Sequence, residues 1–216
     1  MKKHQLVIFD LDGTLTDSAQ GIVNSVQYAL DKMGMVENDR LKLQAFIGPP
    51  LISSFQEFYG LGSGDAWQAV QYYREYFVVN GMFENQVYPG IPVLLDELHH
   101  SGRILAVATS KPGVYARQIL AHFDLLQYFS QVAGSNLDGS LIDKGELIAL
   151  VIEQYQHLPV QEIIMVGDRK YDVEGARVNG IESAAVAYGY GSREELLRAR
   201  PSYIAESVKE LQQLLG

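Results

Sequence analysis

Apolar residues fall along this chain in short unbroken runs set between longer stretches of helical spacing. The first run, Leu6-Val7-Ile8-Phe9, stops abruptly at Asp10. Similar runs recur at 104–107, 163–166 and 184–187, with a weaker fifth at 131–134, each bounded by turn residues. Such runs are too short for buried helices. Continuous apolar strands with helices between them are the pattern of a parallel sheet covered on both faces. Helical patterns predict those intervening helices over 93–100, 114–122, 145–156 and 171–179.

The stretch 17–83 breaks that rhythm. Ile22, Val26, Leu30 and Met33 keep one helical stripe, and Gly34 follows as a stop signal. Leu51, Ile52, Phe55, Phe58 and Tyr59 predict a second helix after Gly48-Pro49-Pro50. Trp67, Val70, Arg74 and Phe77 form a further stripe ending at Asn80-Gly81. An all-helical block inside an alternating chain reads as an insertion, and its rings read as core packing. The expected organisation is therefore a Rossmann-like α/β core of 1–16 and 84–216 carrying a helical subdomain at 17–83. A length of 216 residues suits one such core with a modest insertion.

Composition narrows the chemistry. With 47% hydrophobic and 20% charged residues the chain reads as an ordinary soluble globule. The absence of cysteine excludes a disulfide scaffold, a thiolate zinc site, an iron–sulfur cluster and a cysteine nucleophile. The histidines offer no metal-ligand spacing, and His99-His100 reads as an exposed helix end. A net charge of −9 argues against a general binder of nucleic acid or anionic membrane, so an anionic substrate must be drawn in by a local site. No stretch approaches the ~20 apolar residues of a membrane span, and the start of the chain does not resemble a signal peptide. The expectation is a cytoplasmic protein.

Asp10 and Asp12 stand directly after the first run, in VIFDLDGTLTDS. Alternation at a strand end points both carboxylates the same way, with Leu11 opposite. Two such acids repel each other unless a cation or a shared proton relieves them. The edge they occupy is where parallel sheets bind ligands. Gly13-Thr14 then permits a tight turn; a plain capped turn is the alternative for Asp and Gly in this setting.

These residues open a wider pattern. Thr109 ends a run in ILAVATSKP, Lys144 precedes a helix in IDKGELI, and Asp168 and Asp172 follow a run in IIMVGDRKYD. In that order and at strand ends, the set resembles the haloacid dehalogenase-like hydrolases, mostly Mg²⁺-dependent phosphotransferases. FIGPPL at 46–51, YPGIPVLLDEL at 88–98 and GYGS at 189–192 are similar to the phosphoglycolate-phosphatase-like branch, which carries a helical cap after the first strand. That branch often has Ser after the first acid of the last motif, where this chain has Arg169-Lys170-Tyr171.

The resemblance implies a phosphatase acting on a small phosphomonoester. In it Asp10 is the nucleophile forming an aspartyl-phosphate, and Asp12 is the general acid and then base. It further implies Mg²⁺ held by the Asp10 side chain, the Asp12 carbonyl and Asp168, with Asp172 binding through water, orienting Lys144 or capping its helix. Gly13, Gly48, Thr109, Ser110, Lys111 and Lys144 are the candidate contacts to phosphate and substrate. A hydroxyl on Thr109, a helix opening at Ser110-Lys111-Pro112 and the charge of Lys144 all suit crowded phosphoryl oxygens. Lys111, Arg169 and Lys170 are read either as phosphate-steering or as surface charges. Rival readings are a 5'-nucleotidase, an aryl or protein-tyrosine phosphatase, a phosphomutase, or a non-catalytic phospho-ligand module. The last has no need of a nucleophile beside a general acid. A dehalogenase has no use for Asp12 and Asp168.

Overall fold

A computed structural model describes residues 4–216, and its centre is a six-stranded parallel sheet in the order β5-β4-β1-β6-β7-β8. The strands are β1 (Leu6–Phe9), β4 (Ile104–Pro112), β5 (Gln131–Ser135), β6 (Ile163–Gly167), β7 (Glu182–Val186) and β8 (Tyr203–Ala205). β1 lies in the middle, pairing Leu6 with Ile104 on one side and with Ile163 on the other. All four of its residues are buried, as a strand covered on both faces requires. Each of the five expected runs is a strand, although β4 runs on to Pro112 and β7 is shifted towards the N-terminus. β8 was not foreseen; three residues at a sheet edge leave almost no periodic signal.

Helices α5 (Ile91–His100), α6 (Gly113–His122), α7 (Lys144–Glu153) and α8 (Lys170–Val178) connect the strands. α9 (Arg193–Ala199) and α10 (Val208–Leu215) complete the layers. On one face Leu147, Ile148 and Val151 of α7 pack with Leu6 and Ile8 of β1 and Met165 of β6. Around β7, Val173, Leu196 and Ala199 close on Ala185. Because β4 and β6 flank β1, the chain reverses its winding at the centre of the sheet, and the C-terminal ends of these strands form the crevice such a reversal creates. No helix among the described residues is long and apolar enough to cross a membrane.

The chain divides into two compact units: one holds the residues up to Asp17 with Val87–Gly216, and the other is Ser18–Gln86. Two short strands, β2 (Thr16–Asp17) and β3 (Gln86–Val87), pair separately where the chain crosses. The Ser18–Gln86 unit is helical: α1 (Ala19–Lys32), α2 (Arg40–Gln44), α3 (Leu51–Tyr59), α4 (Ser63–Tyr76) and a π-helical turn, Phe77–Gly81. Its interior is apolar, with Ile22, Val26 and Leu30 buried from α1. Phe46 packs edge-on against Phe55 and Phe58. The expected stripe on α4 is corrected: Ala66, Ala69, Val70 and Tyr73 are the buried face. Trp67 is 37% exposed, and the Arg74 guanidinium stacks over its ring at 5.3 Å. An aromatic and an arginine at helical spacing found each other at the surface, an arrangement that satisfies both without burial.

Candidate active site

The acids gather at the end of β1 because the chain turns sharply there. Asp10 still pairs with β6, its main-chain N–H donating to the Val166 carbonyl at 2.9 Å. Beyond it, the Leu11 carbonyl accepts from the N–H groups of Leu15 and Thr16 and closes the turn. Gly13 sits in that turn at φ +80, and a Cβ there would lie 2.2 Å from the Asp168 carboxylate. Only glycine combines this backbone conformation with so close an approach. The Asp10 carboxylate accepts from the Leu11 N–H at 2.7 Å and faces the Lys144 ammonium at 3.0 Å.

Lys144 is the first residue of α7, which is capped by Asp143 accepting from the Glu146 N–H. A lysine opening a helix is ordinarily solvated, yet this one is buried. Its ammonium reaches the Ala108 carbonyl at 3.0 Å, Asp10 at 3.0 Å and Asp172 at 2.9 Å, which uses its three donors. Burial pulls the ammonium towards neutrality, but Asp10 and Asp172 outweigh it and hold Lys144 charged well above its ordinary range.

Asp168 follows β6 and is fully buried. It accepts from the Tyr190 main-chain N–H at 2.8 Å and from the Thr14 hydroxyl at 3.3 Å. Burial, then Asp172 and Asp10, push its carboxyl well above the usual range. Asp172 is the third residue of α8 and accepts from the Arg169 N–H at 3.0 Å, so it both caps its helix and pairs with Lys144. Burial pushes it up to about 6, with Lys144 pulling the other way.

Asp10, Asp168 and Asp172 each offer a carboxylate oxygen, all within 4.8 Å of one another. Three buried acids against one lysine leave an excess of negative charge, which adds to burial in driving Asp168 towards its protonated form. An oxygen-seeking divalent cation relieves that repulsion, so the residues fit such an ion. Asp12 adds a second sign of an incomplete shell. Its Oδ2 pairs with Lys111 at 3.0 Å, while its buried Oδ1 has no hydrogen-bond partner among the described residues.

Thr109 is buried in β4, its hydroxyl oxygen accepting from the Lys111 N–H at 3.3 Å. The register against β5 shifts between Thr109 and Pro112, and an irregularity of this kind re-aims side chains at a sheet's end. Ser110-Lys111-Pro112 therefore belongs to the strand and does not open a helix as expected. Pro112 is the cap residue and α6 starts at Gly113. The Ser110 hydroxyl donates to the Ile142 carbonyl at 3.4 Å. Lys111 is thus drawn to the acids. Arg169 is not: it pairs with Glu195 at 2.9 Å, and Lys170 lies over the Tyr171 ring. Gly48 belongs to the helical unit, at φ +105 in the loop ahead of α3. Sequence reasoning missed the amide of Tyr190 on Asp168; the Gly-Tyr-Gly run at 189–191 was its only signal.

A crevice at the reversal point of a parallel sheet, lined by acids after β1 and β6 and a lysine after β5, defines a phosphotransferase class of α/β hydrolase. The family model for haloacid dehalogenase-like hydrolases matches residues 7–186, and the chain belongs to that family. It is 45% identical over 209 residues to the 5'-nucleotidase of Pseudomonas aeruginosa, covering 97% of this chain and 94% of that one. It is 40% identical over 214 residues to the tyrosine-protein kinase PtkA of Mycobacterium tuberculosis, covering 98% of this chain and 72% of that one. The crystal structure of a predicted phosphatase from Clostridium acetobutylicum superposes with a TM-score of 0.94 at 48% identity, over 99% of each chain. Phosphoglycolate phosphatases match along nearly the whole chain at lower identity, as the expected branch implies. The protein is a phosphatase of this family.

Proposed function

We propose that the protein is a Mg²⁺-dependent phosphomonoesterase that works through an aspartyl-phosphate on Asp10 and takes nucleoside 5'-monophosphates among its substrates. The observation that carries the mechanism is the pairing of two acids on one turn with two different lysines: Asp10 with Lys144 and Asp12 with Lys111. Asp10, Asp168 and the carbonyl of Asp12 are the residues to hold the ion, with Asp172 behind them; the ion supplies positive charge to the transferred phosphoryl oxygens.

Asp10 is held by the Leu11 amide and Lys144, which leaves its carboxylate fixed for attack on phosphorus. The new bond joins an Asp10 oxygen to phosphorus as the ester P–O bond breaks. Asp12 gives its proton to the departing alkoxide. It then takes a proton from the water that attacks the aspartyl-phosphate, and inorganic phosphate leaves with Asp10 restored. Proton transfer of this kind contributes about 10²–10⁴ in rate. Lys111 and the Thr109 hydroxyl gather the phosphoryl oxygens, and the Lys144 charge acts on them through space in a site where burial strengthens each electrostatic interaction. The 45% identity to a protein named 5'-nucleotidase supports the nucleotide reading over phosphoglycolate. Helix-to-helix loop 47–51 of the inserted unit is the candidate selectivity element.

Phosphate release across a broad phosphomonoester panel, with Mg²⁺ present and after chelation, tests this reading. Nucleoside 5'-monophosphates should rank above phosphoglycolate and activity should fall to background after chelation. Full activity in chelator would overturn the metal assignment, and a flat panel the substrate assignment.

A further inference from the structure

The loop that follows β7 touches more of the catalytic machinery than any motif suggests. Tyr190 donates its main-chain N–H to Asp168 at 2.8 Å and its phenol hydroxyl to Asp17 at 2.7 Å. Asp17 ends β2 and is the last core residue before the chain leaves for the helical unit. Two residues earlier, Tyr188 donates its hydroxyl to the Thr14 carbonyl at 3.0 Å, and its ring meets Tyr88 edge-on at 5.0 Å. Tyr88 lies just past the second crossing, donates its N–H to the Leu15 carbonyl at 3.1 Å, and is hydrogen-bonded through its side chain to Tyr190.

The glycines on either side leave this loop no independent freedom. A Cβ on Gly189 would stand 2.3 Å from the Asp168 Cβ and 2.4 Å from the Gly13 carbonyl oxygen, and one on Gly191 would stand 2.0 Å from the Asp168 carbonyl oxygen. The backbone at 189–191 is therefore pressed flat on Asp168 and on the turn that carries Asp12. A shift of Asp17 is transmitted through the rigid phenol of Tyr190 to the amide that aims Asp168. A tyrosine suits this task, since its hydroxyl sits at a fixed reach from its own main chain, with only two side-chain torsions to absorb movement.

The geometry points to Tyr190 as a positioning residue that clamps Asp17, at the first crossing, to the buried carboxylate of Asp168. Its main chain fixes the acid and its side chain fixes the crossing strand, so mobility at the crossing and orientation of the acid rise and fall together. Loss of the hydroxyl frees the crossing strand and leaves the amide on Asp168 held by the packing of Gly189 and Gly191 alone.

Hydrogen exchange on the ligand-free protein tests the clamp without reference to any metal or substrate. In Tyr190→Phe, which keeps the ring but loses the bonds to Asp17 and Tyr88, amide exchange at 14–18 should rise about tenfold, most of it from the charge-assisted bond to Asp17, with β1 and β6 unchanged. Asp17→Ala should do the same from the exposed end of the bond, and the double variant should go no further. Asp17→Asn keeps a side-chain oxygen acceptor and should recover most of the protection. The kinetic arm rests on the proposed role of Asp168: in Tyr190→Phe kcat should fall about fivefold while KM stays within about twofold, because aim and not binding is lost. Unchanged exchange at 14–18 in either single variant, or strictly additive effects in the double, would overturn the clamp. Raised exchange with an unchanged kcat would keep the clamp and overturn only the role of Asp168 in turnover.

Discussion

The α/β core and the helical insertion both have apolar interiors, but among the described residues only the core also buries charged side chains. In the core, Asp10, Thr109 and Asp168 at the ends of β1, β4 and β6 are buried together with Asp172 of α8, and Lys144 pairs with Asp10 and Asp172. In the insertion, the interior is Phe46, Phe55, Leu30 and Val70, and the charged contacts stay outside, as where Lys42 pairs with Glu37 at 3.0 Å. Burying acids is costly unless charge is compensated. The core accepts that cost where chemistry needs it, while the insertion is built as a helical bundle would be for shape and stability. The contrast separates the groups proposed to react from the surface proposed to select among substrates.

Substitutions that remove the core's charges should break activity and spare the fold. Asp10→Asn keeps the shape of the side chain but has no nucleophile; turnover should fall at least about 10³-fold with the melting temperature little changed. Near-wild-type phosphate release would remove Asp10 from the proposed mechanism. Asp12→Asn should cost about 10²–10⁴ in kcat on alkyl phosphates and less on aryl phosphates, whose leaving groups need little protonation. Equal losses on the two classes, measured side by side, would argue against Asp12 as the acid.

The insertion should answer in the opposite way. Phe55→Ala removes a fully buried ring that packs edge-on against Phe46 at 4.8 Å, and such a truncation costs about 3–5 kcal/mol. Denaturant melts followed by hydrogen exchange should show α1, α3 and α4 opening early while β1, β4 and β6 keep their protection. Simultaneous loss in both units would mean that they fold as one. Exchanging 47–51 for the residues of a relative should reorder the substrate panel by about tenfold or less while acetyl phosphate turnover holds, since a few apolar contacts discriminate only modestly. An unchanged order would move selectivity into the core.

The smallest effect belongs to Glu37. The Asp39 backbone amide, then Lys42, hold its carboxyl down at about 2. A carboxyl lowered on folding contributes stability that is present above its ordinary value near 4.5 and disappears as pH falls towards 2. In Glu37→Gln the stability of the insertion should lose part of its pH dependence between those values, with no change at neutral pH beyond that lost contribution. A wild-type acid profile in that variant would show the pairing to be energetically idle, as many exposed pairs are.

Asp10, Thr109 and Asp168 were readable because each stands where an apolar run ends, whereas Lys144 and Asp172 follow no such run and were picked out only by the motif set as a whole. Asp10 follows Leu6–Phe9, Thr109 ends the run opened by Ile104, and Asp168 follows β6, so local pattern alone put them on one edge of one sheet. The helices of the insertion were readable from spacing, but the face of α4 was not, because Trp67 and Arg74 keep the same period as the true core face. β8 and α9 escaped for want of length, whereas α10 went unread although Val208, Leu211 and Leu215 keep helical spacing and the two leucines are buried. Ser110-Lys111-Pro112 was read as a helix start because proline favours that position, whereas Pro112 pairs with Ser135 of β5 and caps α6 from outside.

Apolar periodicity is a property of neighbouring residues, so the sequence by itself determined the parallel α/β core and the helical block, while the catalytic candidates came from motifs that resemble those of the haloacid dehalogenase-like hydrolases. Which lysine is buried, which acid is driven towards protonation, and which amide aims Asp168 depend on groups far apart along the chain. Lys144 meets Ala108 across 36 residues, Tyr190 meets Asp168 across 22 and Asp17 across 173. Charge and desolvation act through space within a few ångströms and take no account of chain distance. Only the packed sheet, by bringing the ends of β1, β4 and β6 together, decided them.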